Sequence, residues 1–451
     1  MSDFRAQLRD AGMSVEESAA KVDLFARLSS ELRRLTPSAV TIARMGAACF
    51  VPGRLELFGK HTDYAGGRSI IGAIERGICL VASRRMDAQI RIVDAARGSS
   101  VEFSLNASIE PRRGQWSNFP MTVARRLARD FPEMRTGADI LFASDLPRAS
   151  GMSSSSAMVI AFLFVLARAN SLENTERWRQ FLQTREHLAS YAASIESGAG
   201  FRSFSEDAGV GTHGGSEDHI GILCSRAGFL QQYSFCPARL EKEICFPEDW
   251  SLVVAVSGVK ADKTDDALES YNRASRAVQT VLKLWQSAKG SGVAASLAPL
   301  LAKPEVREEL QQMLRASNIS QYSSECLLRR MDQLHEESNE IVPAAAEALA
   351  GSDMELLGAL ADRSQFLAET CLENQMPETI SLARSARQLG AAAASAFGAG
   401  FGGSVWAAIE TRRAEEFCNR WAAQYHQRFP ARADASRFFA VRPGPPLIEF
   451  Q

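Results

Sequence analysis

Three segments concentrate residue types that can do chemistry. The first, Val51-Pro-Gly-Arg-Leu-Glu-Leu-Phe-Gly-Lys-His-Thr-Asp-Tyr-Ala-Gly-Gly67, presents Arg54 from an alternating strand and breaks at Gly59 into a polar turn with Lys60, His61 and Asp63. Carboxylates accept and Arg or Lys donate, so such a turn can satisfy several sugar hydroxyls at once; a solvated hairpin has the same composition. The second, Asp145-Leu-Pro-Arg-Ala-Ser-Gly-Met-Ser-Ser-Ser-Ser-Ala157, runs from a strand through small residues into an apolar helix. Small side chains let a ligand approach the backbone, and the unpaired N–H groups of a first helical turn bind phosphate. Serine hydroxyls can add hydrogen bonds or hold Mg²⁺. A serine-rich cap on a core helix would read the same way, and the GxxxxGK[ST] phosphate loop is absent. The third segment has glycine at 398, 400, 402 and 403, just before an apolar strand. Backbone packed against a ligand or another loop needs such glycines. A dinucleotide fingerprint would place them after the strand.

Composition narrows the classes. The 451 residues carry 51 Lys+Arg against 53 Asp+Glu, a net charge of −2. A near-neutral chain has no built-in attraction for a polyanion, which argues against a nucleic-acid binder. Hydrophobic residues at 46% support a large core, and the length suggests about two or three domains. No apolar run reaches the ~18–20 residues that span a bilayer, and the polar N-terminus lacks a secretory signal's apolar middle. Cys49, Cys79, Cys224, Cys236, Cys245, Cys326, Cys371 and Cys418 form no CxxC pair and read as reduced thiols of a cytoplasmic protein. The six histidines form no HxxxH or HxH, so a zinc site is not expected.

The elements that must position these segments can be read from periodicity. Apolar spacing predicts helices over 12–35, 116–130, 157–169 and 176–197. Residues 47–85 look extended, with turns at Pro52-Gly53 and Gly66-Gly67, followed by a hairpin over 88–105 and a strand at 140–145. The Gly/Ser-rich stretch 198–217 is either a linker or a functional loop. Strands are expected at 219–235 and 251–257, long helices at 264–290 and 305–385, and a strand ending at 409.

Together the segments resemble the GHMP kinases, most closely their galactokinase branch. The family's PGRxNLxGEHTDYxGG is matched at Pro52, Gly53, Arg54, Leu57, Gly59, His61, Thr62, Asp63, Tyr64, Gly66 and Gly67. PxGGGLSSSA is matched at Pro147, Gly151 and Ser153–Ser155, and the TGxGFGG-type loop at Gly398, Gly400, Phe401, Gly402 and Gly403. Gly211–His219 is similar to the GGxMDQ segment, and Trp116-Ser-Asn-Phe119 to the WxNY segment beside adenine.

The resemblance implies an α+β, two-domain GHMP kinase fold with the active site in the cleft. We expect an N-terminal domain over residues 1–225 and a C-terminal domain over 226–451. It implies transfer of the ATP γ-phosphate to a sugar's anomeric hydroxyl, with Mg²⁺. Asp218 and Arg54 would act at that hydroxyl. Lys60, His61, Asp63, Gly215 and Tyr271 would contact the sugar. Trp116, Asn118, Phe119, Gly151, Ser153, Ser154 and Ser155 would hold ATP. Ser155 and Glu196 would bind the metal, with Glu206 as a competitor for Glu196. The partners would be small molecules, with no nucleic acid and no membrane, and the chain a monomer or weak homo-oligomer.

Several positions depart from the family's pattern. Lys60 stands where the family has glutamate, which opens a C6 acid such as galacturonate beside galactose; otherwise Lys60 turns to solvent or pairs with Glu56. Glu56 itself replaces an asparagine. Ala149-Ser150 replaces two glycines, and Phe397 and Ser404 replace a threonine and a cysteine. These changes also admit a catalytically silent sugar and ATP sensor. An acyl-transfer enzyme is disfavoured because no GxSxG elbow is present.

Overall fold

A computed structural model describes residues 2–36, 45–147, 150–259, 265–290, 292, 294–317 and 319–450. Ala149 therefore lies outside the described residues.

The first sheet is built around two long strands, β1 (Met45–Phe58) and β2 (Arg68–Arg84). It adds β3 (Gln89–Asp94), β4 (Ser99–Ser104), β5 (Ala138–Ser144), β6 (Phe229–Ser234) and β7 (Arg239–Cys245). The second sheet holds β8 (Trp250–Val256), β9 (Ala393–Phe397), β10 (Ser404–Glu410) and β11 (Arg437–Val441), in the order β11-β8-β10-β9. The last strand, β12 (Ile448–Phe450), returns to pair with β1. Because β6, β7 and β12 all join the first sheet, the expected boundary at 225/226 falls just before strands that share a sheet with the N-terminal half.

Pro52-Gly53 is not a turn. The strand continues through it as a bulge: Pro52 pairs with Gly77 and Arg54 with Ala73, so the register slips. Proline cannot donate to the ladder, and a bulge is where a strand tolerates it. The chain reverses instead at Gly59–Gly67, where Gly59 and Gly66 have φ of 108° and 76°.

Helix α1 (Ser2–Asp10), which the pattern did not suggest, packs with α2 (Val15–Leu35) on the outer face of the first sheet. Ser14 caps α2 by accepting from Glu17 N, and Val22, Phe25, Leu28 and Leu32 form its buried stripe. On the other face lie α3 (Asn118–Asp130), α4 (Ser154–Asn170), α5 (Glu176–Phe181) and α6 (Arg185–Ser197). The expected single helix over 176–197 is two, because Thr184 starts α6 as an N-cap accepting from His187 N.

Residues 217–223 form a short helix, α7 (Glu217–Leu223), where a strand was expected. Its His-Ile-Gly-Ile-Leu sequence reads as strand, but the helix is buried against α6, β1 and β2, and tertiary packing overrides β-propensity. Helix α8 (Asp265–Lys289) follows β8. The stretch 305–385 is several helices, two of them extended by π-helical turns at Glu336–Ile341 and Ala368–Leu372. The segment ending at 409 holds two strands, β9 and β10, rather than one. Among the described residues no helix is long and apolar enough to cross a membrane.

Candidate active site

The three segments meet around one cavity of about 950 Å³. The β1 bulge explains their convergence. There the strand leaves β2 and reaches the serine loop: Arg54 N donates to Met152 O at 3.3 Å, and Arg54 Nη1 donates to Gly151 O at 2.7 Å. A Cβ on Gly53 would sit 2.8 Å from Met152 O, so only glycine allows the approach. The glycine loop closes the other side. Ser404 Oγ donates to Ser150 O at 2.6 Å, and a Cβ on Gly398 would lie 3.0 Å from Gly151 O.

Arg54 and Asp218, 164 positions apart, are in contact at the cavity wall. Arg54 Nε donates to Asp218 Oδ1 at 2.8 Å and Nη2 lies 2.6 Å from the same oxygen. Gly221, one turn along α7, leaves room for the arginine: a Cβ there would be 3.0 Å from Arg54 Cβ. Burial pushes the Asp218 carboxyl up, but the Arg54 charge, with smaller help from His219 and the Ser153 hydroxyl, holds the group below its usual value. Asp218 is thus ionised and ready to accept a proton. Two further carboxylates approach the guanidinium, Glu56 at 3.7 Å from Nη2 and Glu217 at 3.7 Å from Nε. Burial raises both of their pKa values.

Asp63, His61, Gly215 and Tyr271 line the same end. Asp63 Oδ2 accepts from Glu217 N at 3.2 Å, and a Cβ on Gly215 would lie 2.4 Å from that oxygen. His61 meets the Tyr64 hydroxyl at 2.9 Å and Ala399 O at 3.1 Å, and its ring lies 5.3 Å from that of Tyr271. Burial, and the charge of Arg330, lower its pKa to about 4, so it is neutral near pH 7.

Lys60 does not join them. It is 1% exposed and points away from the cavity, donating to Ser364 Oγ at 2.7 Å. It neither reaches solvent nor forms an ion pair with Glu56. Its turn is gripped from behind, as Glu337 accepts from Gly59 N at 2.8 Å and Gln333 donates to Lys60 O at 3.1 Å.

The wall that adjoins the Arg54–Asp218 pair is backbone and hydroxyls. Gly151, Ser153, Ser154 and Ser155 line the cavity where α4 begins, with Gly151 and Ser153 at φ of 75° and 57°. Trp116, Asn118 and Phe119 line its far side; Asn118 Nδ2 donates to Val210 O at 3.2 Å, while its buried Oδ1 meets no protein donor. Glu196 faces the cavity, and the serine that reaches it is Ser156: Ser156 Oγ donates to Glu196 Oε2 at 2.7 Å. Ser155 also lines the cavity. Glu206 is exposed and does not line it. The stretch 198–217 is a site loop rather than a linker, tied down by Val210 N to Glu196 O and by Asn272 Nδ2 to Gly211 O.

Sequence reasoning missed Glu217, Ser156 and His219 as site residues. Their signal was present: Glu217 and His219 stand at the methionine and glutamine of the GGxMDQ pattern. His219 Nε2 lies 3.1 Å from Glu196 Oε2.

Three family models match the chain: the galactokinase galactose-binding signature at residues 43–84, the GHMP kinases N terminal domain at 118–203, and the GHMP kinases C terminal at 345–427. A galactokinase of Chloroflexus aggregans is 28% identical over 83% of this chain and 86% of its own. One of Enterococcus faecalis is 24% identical over 86% and 92%. The crystal structure of Lactococcus lactis galactokinase complexed with galactose superposes with a TM-score of 0.76, at 21% identity, over 94% of this chain and 99% of its own. The Methanococcus jannaschii mevalonate kinase shares the fold more distantly, with a TM-score of 0.52 at 14% identity. The chain thus carries the GHMP kinases N terminal and C terminal domains and the galactokinase galactose-binding signature, and is similar to galactokinases over most of its length.

Proposed function

We infer that this protein is a sugar 1-kinase that moves the γ-phosphate of ATP to the anomeric hydroxyl of a neutral hexose, with galactose the first candidate. The observation that carries the reading is the Arg54–Asp218 pair, set in one cavity beside the N-terminus of α4, where Ser156 Oγ donates to Asp218 Oδ2 at 3.3 Å. Phosphoryl transfer needs an aligned nucleophile and neutralised phosphates more than covalent help. Asp218, kept ionised by Arg54, accepts the hydroxyl proton or orients it. Arg54 lies beside the same oxygen and favours its deprotonated form. Asp63 and Tyr271 hold ring hydroxyls, while His61, whose two ring nitrogens meet Tyr64 and Ala399 O, shapes the wall beside them. The free N–H groups of Ser154, Ser155 and Ser156 receive the phosphates. Asn118 Oδ1, buried without a protein donor, fits the amino group of a base held between Trp116 and Phe119.

Magnesium fits the donor set, which is a carboxylate and a hydroxyl already in contact at Glu196 and Ser156. Such an ion needs only one or two protein oxygens beside the phosphates, whose charge it neutralises. This favours Glu196 over Glu206, and Ser156 beside or in place of Ser155. The sheet topology supports dividing the two domains near residue 246, with 448–450 returning to the first. We further propose a cytoplasmic enzyme acting as a monomer or weak homo-oligomer.

The test is ADP release on galactose, glucose, galactosamine and galacturonate. Turnover of galactose with ATP supports the reading. Binding of galactose and ATP without turnover would overturn it in favour of a sensor. A preference for galacturonate would overturn the neutral-sugar assignment, for which the burial of Lys60 away from the cavity is the support.

A further inference from the structure

The sugar end holds more acid than the proposed reaction uses. Asp218 has a catalytic task and Asp63 a ring hydroxyl. Glu56 and Glu217 have neither, yet both line the cavity and both are buried, at 3% and 5% exposure. They come from different elements. Glu56 lies two residues beyond Arg54 on β1, and so on the same face of the strand. Glu217 opens α7 immediately before Asp218. They approach the same edge of the guanidinium that Asp218 bridges, at Nη2 and Nε, at 3.7 Å each. Glu56 Oε1 is buried with no hydrogen-bond partner in the protein.

The arrangement is not charge-balanced. Arg54 already spends its short contacts on Asp218 and on Gly151 O. The other cation of the turn, Lys60, directs its ammonium away to Ser364. His61 is neutral near pH 7. The groups bearing on the pair are thus Arg54 and Lys60 on one side and Asp63 and Asp218 on the other. Even with one proton held between Glu56 and Glu217, the wall facing the sugar keeps a net negative charge.

We propose that Glu56 and Glu217 are specificity-determining residues, which keep the sugar end of the cavity anionic so that it rejects sugar acids and accepts neutral and amino sugars. Both positions depart from the family pattern, where asparagine and methionine stand. The proposal rests on the reading of this cavity as a sugar site, but not on catalysis.

The experiment is equilibrium binding by calorimetry to the full chain, without nucleotide, of three hexoses alike in stereochemistry but differing in charge: galacturonate, galactose and galactosamine. The wild type should bind galactosamine and galactose at least about tenfold more tightly than galacturonate, the scale of one unit charge felt across several ångströms of protein. The variants Glu56→Gln and Glu217→Gln should each narrow the galactosamine-to-galacturonate ratio severalfold. Wild-type binding of galacturonate on a par with galactose overturns the proposal, whether or not either variant folds. So does a ratio unchanged in folded variants of both. Binding in the expected order without turnover of any sugar would overturn the kinase reading alone. Binding of none of the three overturns both.

Discussion

Around the cavity's Arg54–Asp218 pair each side chain is fixed by another. Arg54 is held by Asp218 and Gly151, Asp63 by Glu217 N, and His61 by Tyr64 and Ala399. Around the start of α4 and the glycine loop the surface is mostly main chain and hydroxyl, shaped by residues at positive φ such as Gly151, Ser153, Gly398 and Gly400. The first region stores its selectivity in buried charge, where exchanging one atom changes the chemistry. The second stores it in backbone shape, where adding one carbon closes the space. The two regions should therefore fail differently when altered.

The largest effect belongs to the charged end. Asp218→Asn should lower kcat about a thousandfold, the range of a lost general base, while galactose still binds. Steady-state turnover with calorimetric binding checks this, and a loss below tenfold would mean that Asp218 does not touch the reacting hydroxyl. Next comes the backbone end. Gly398→Ala forces a Cβ to 3.0 Å from Gly151 O at φ 78°. It should cut kcat/KM for ATP about a hundredfold by displacing the serine loop, and leave galactose binding within about twofold. Equal damage to both ligands would erase the distinction between the ends.

A smaller effect comes from His61. Folded, it stays neutral down to about pH 4; unfolded, it takes up its proton near the usual ~6.5. Between those values the unfolded chain binds the extra proton, so stability falls as pH falls through that window. The cost between pH 7 and 5 should be about 2 kcal/mol, removed in His61→Gln. Urea denaturation of both proteins at the two pH values measures it, and parallel slopes would refute it. The smallest functional effect is expected at Lys60, behind the turn. Lys60→Met should change KM for galactose less than about threefold while costing about 1–3 kcal/mol of stability, as its buried partner Ser364 loses a donor. A large change in KM with intact stability would put the ammonium in the sugar pocket after all.

How much of this was legible in the sequence follows the same division. The backbone end was readable because glycine and serine announce the conformations they permit. The pairing of Arg54 with Asp218 was readable through resemblance alone, since nothing local joins residues 164 positions apart. Lys60 was misread because its one-letter context, a cation in a polar turn, says nothing of which way the side chain leaves the turn. Gln333, Glu337 and Ser364 settle that from helices nearly 300 positions away. Residues 219–223 were misread as strand because a helix buried on nearly every side loses the apolar periodicity that identifies one. Ser156 escaped notice as the residue meeting Glu196 because four consecutive serines look equivalent until the helix turns each a different way.

The central claim is that Arg54 and Asp218 act as one unit on one sugar oxygen. A double-mutant cycle on the single-turnover rate, using Arg54→Met, Asp218→Asn and the double variant with ATP and galactose, tests it most directly. Residues that work as a unit are strongly non-additive, so the double variant should fall within about tenfold of the slower single. Losses that multiply, as for two independent sites, would contradict the account.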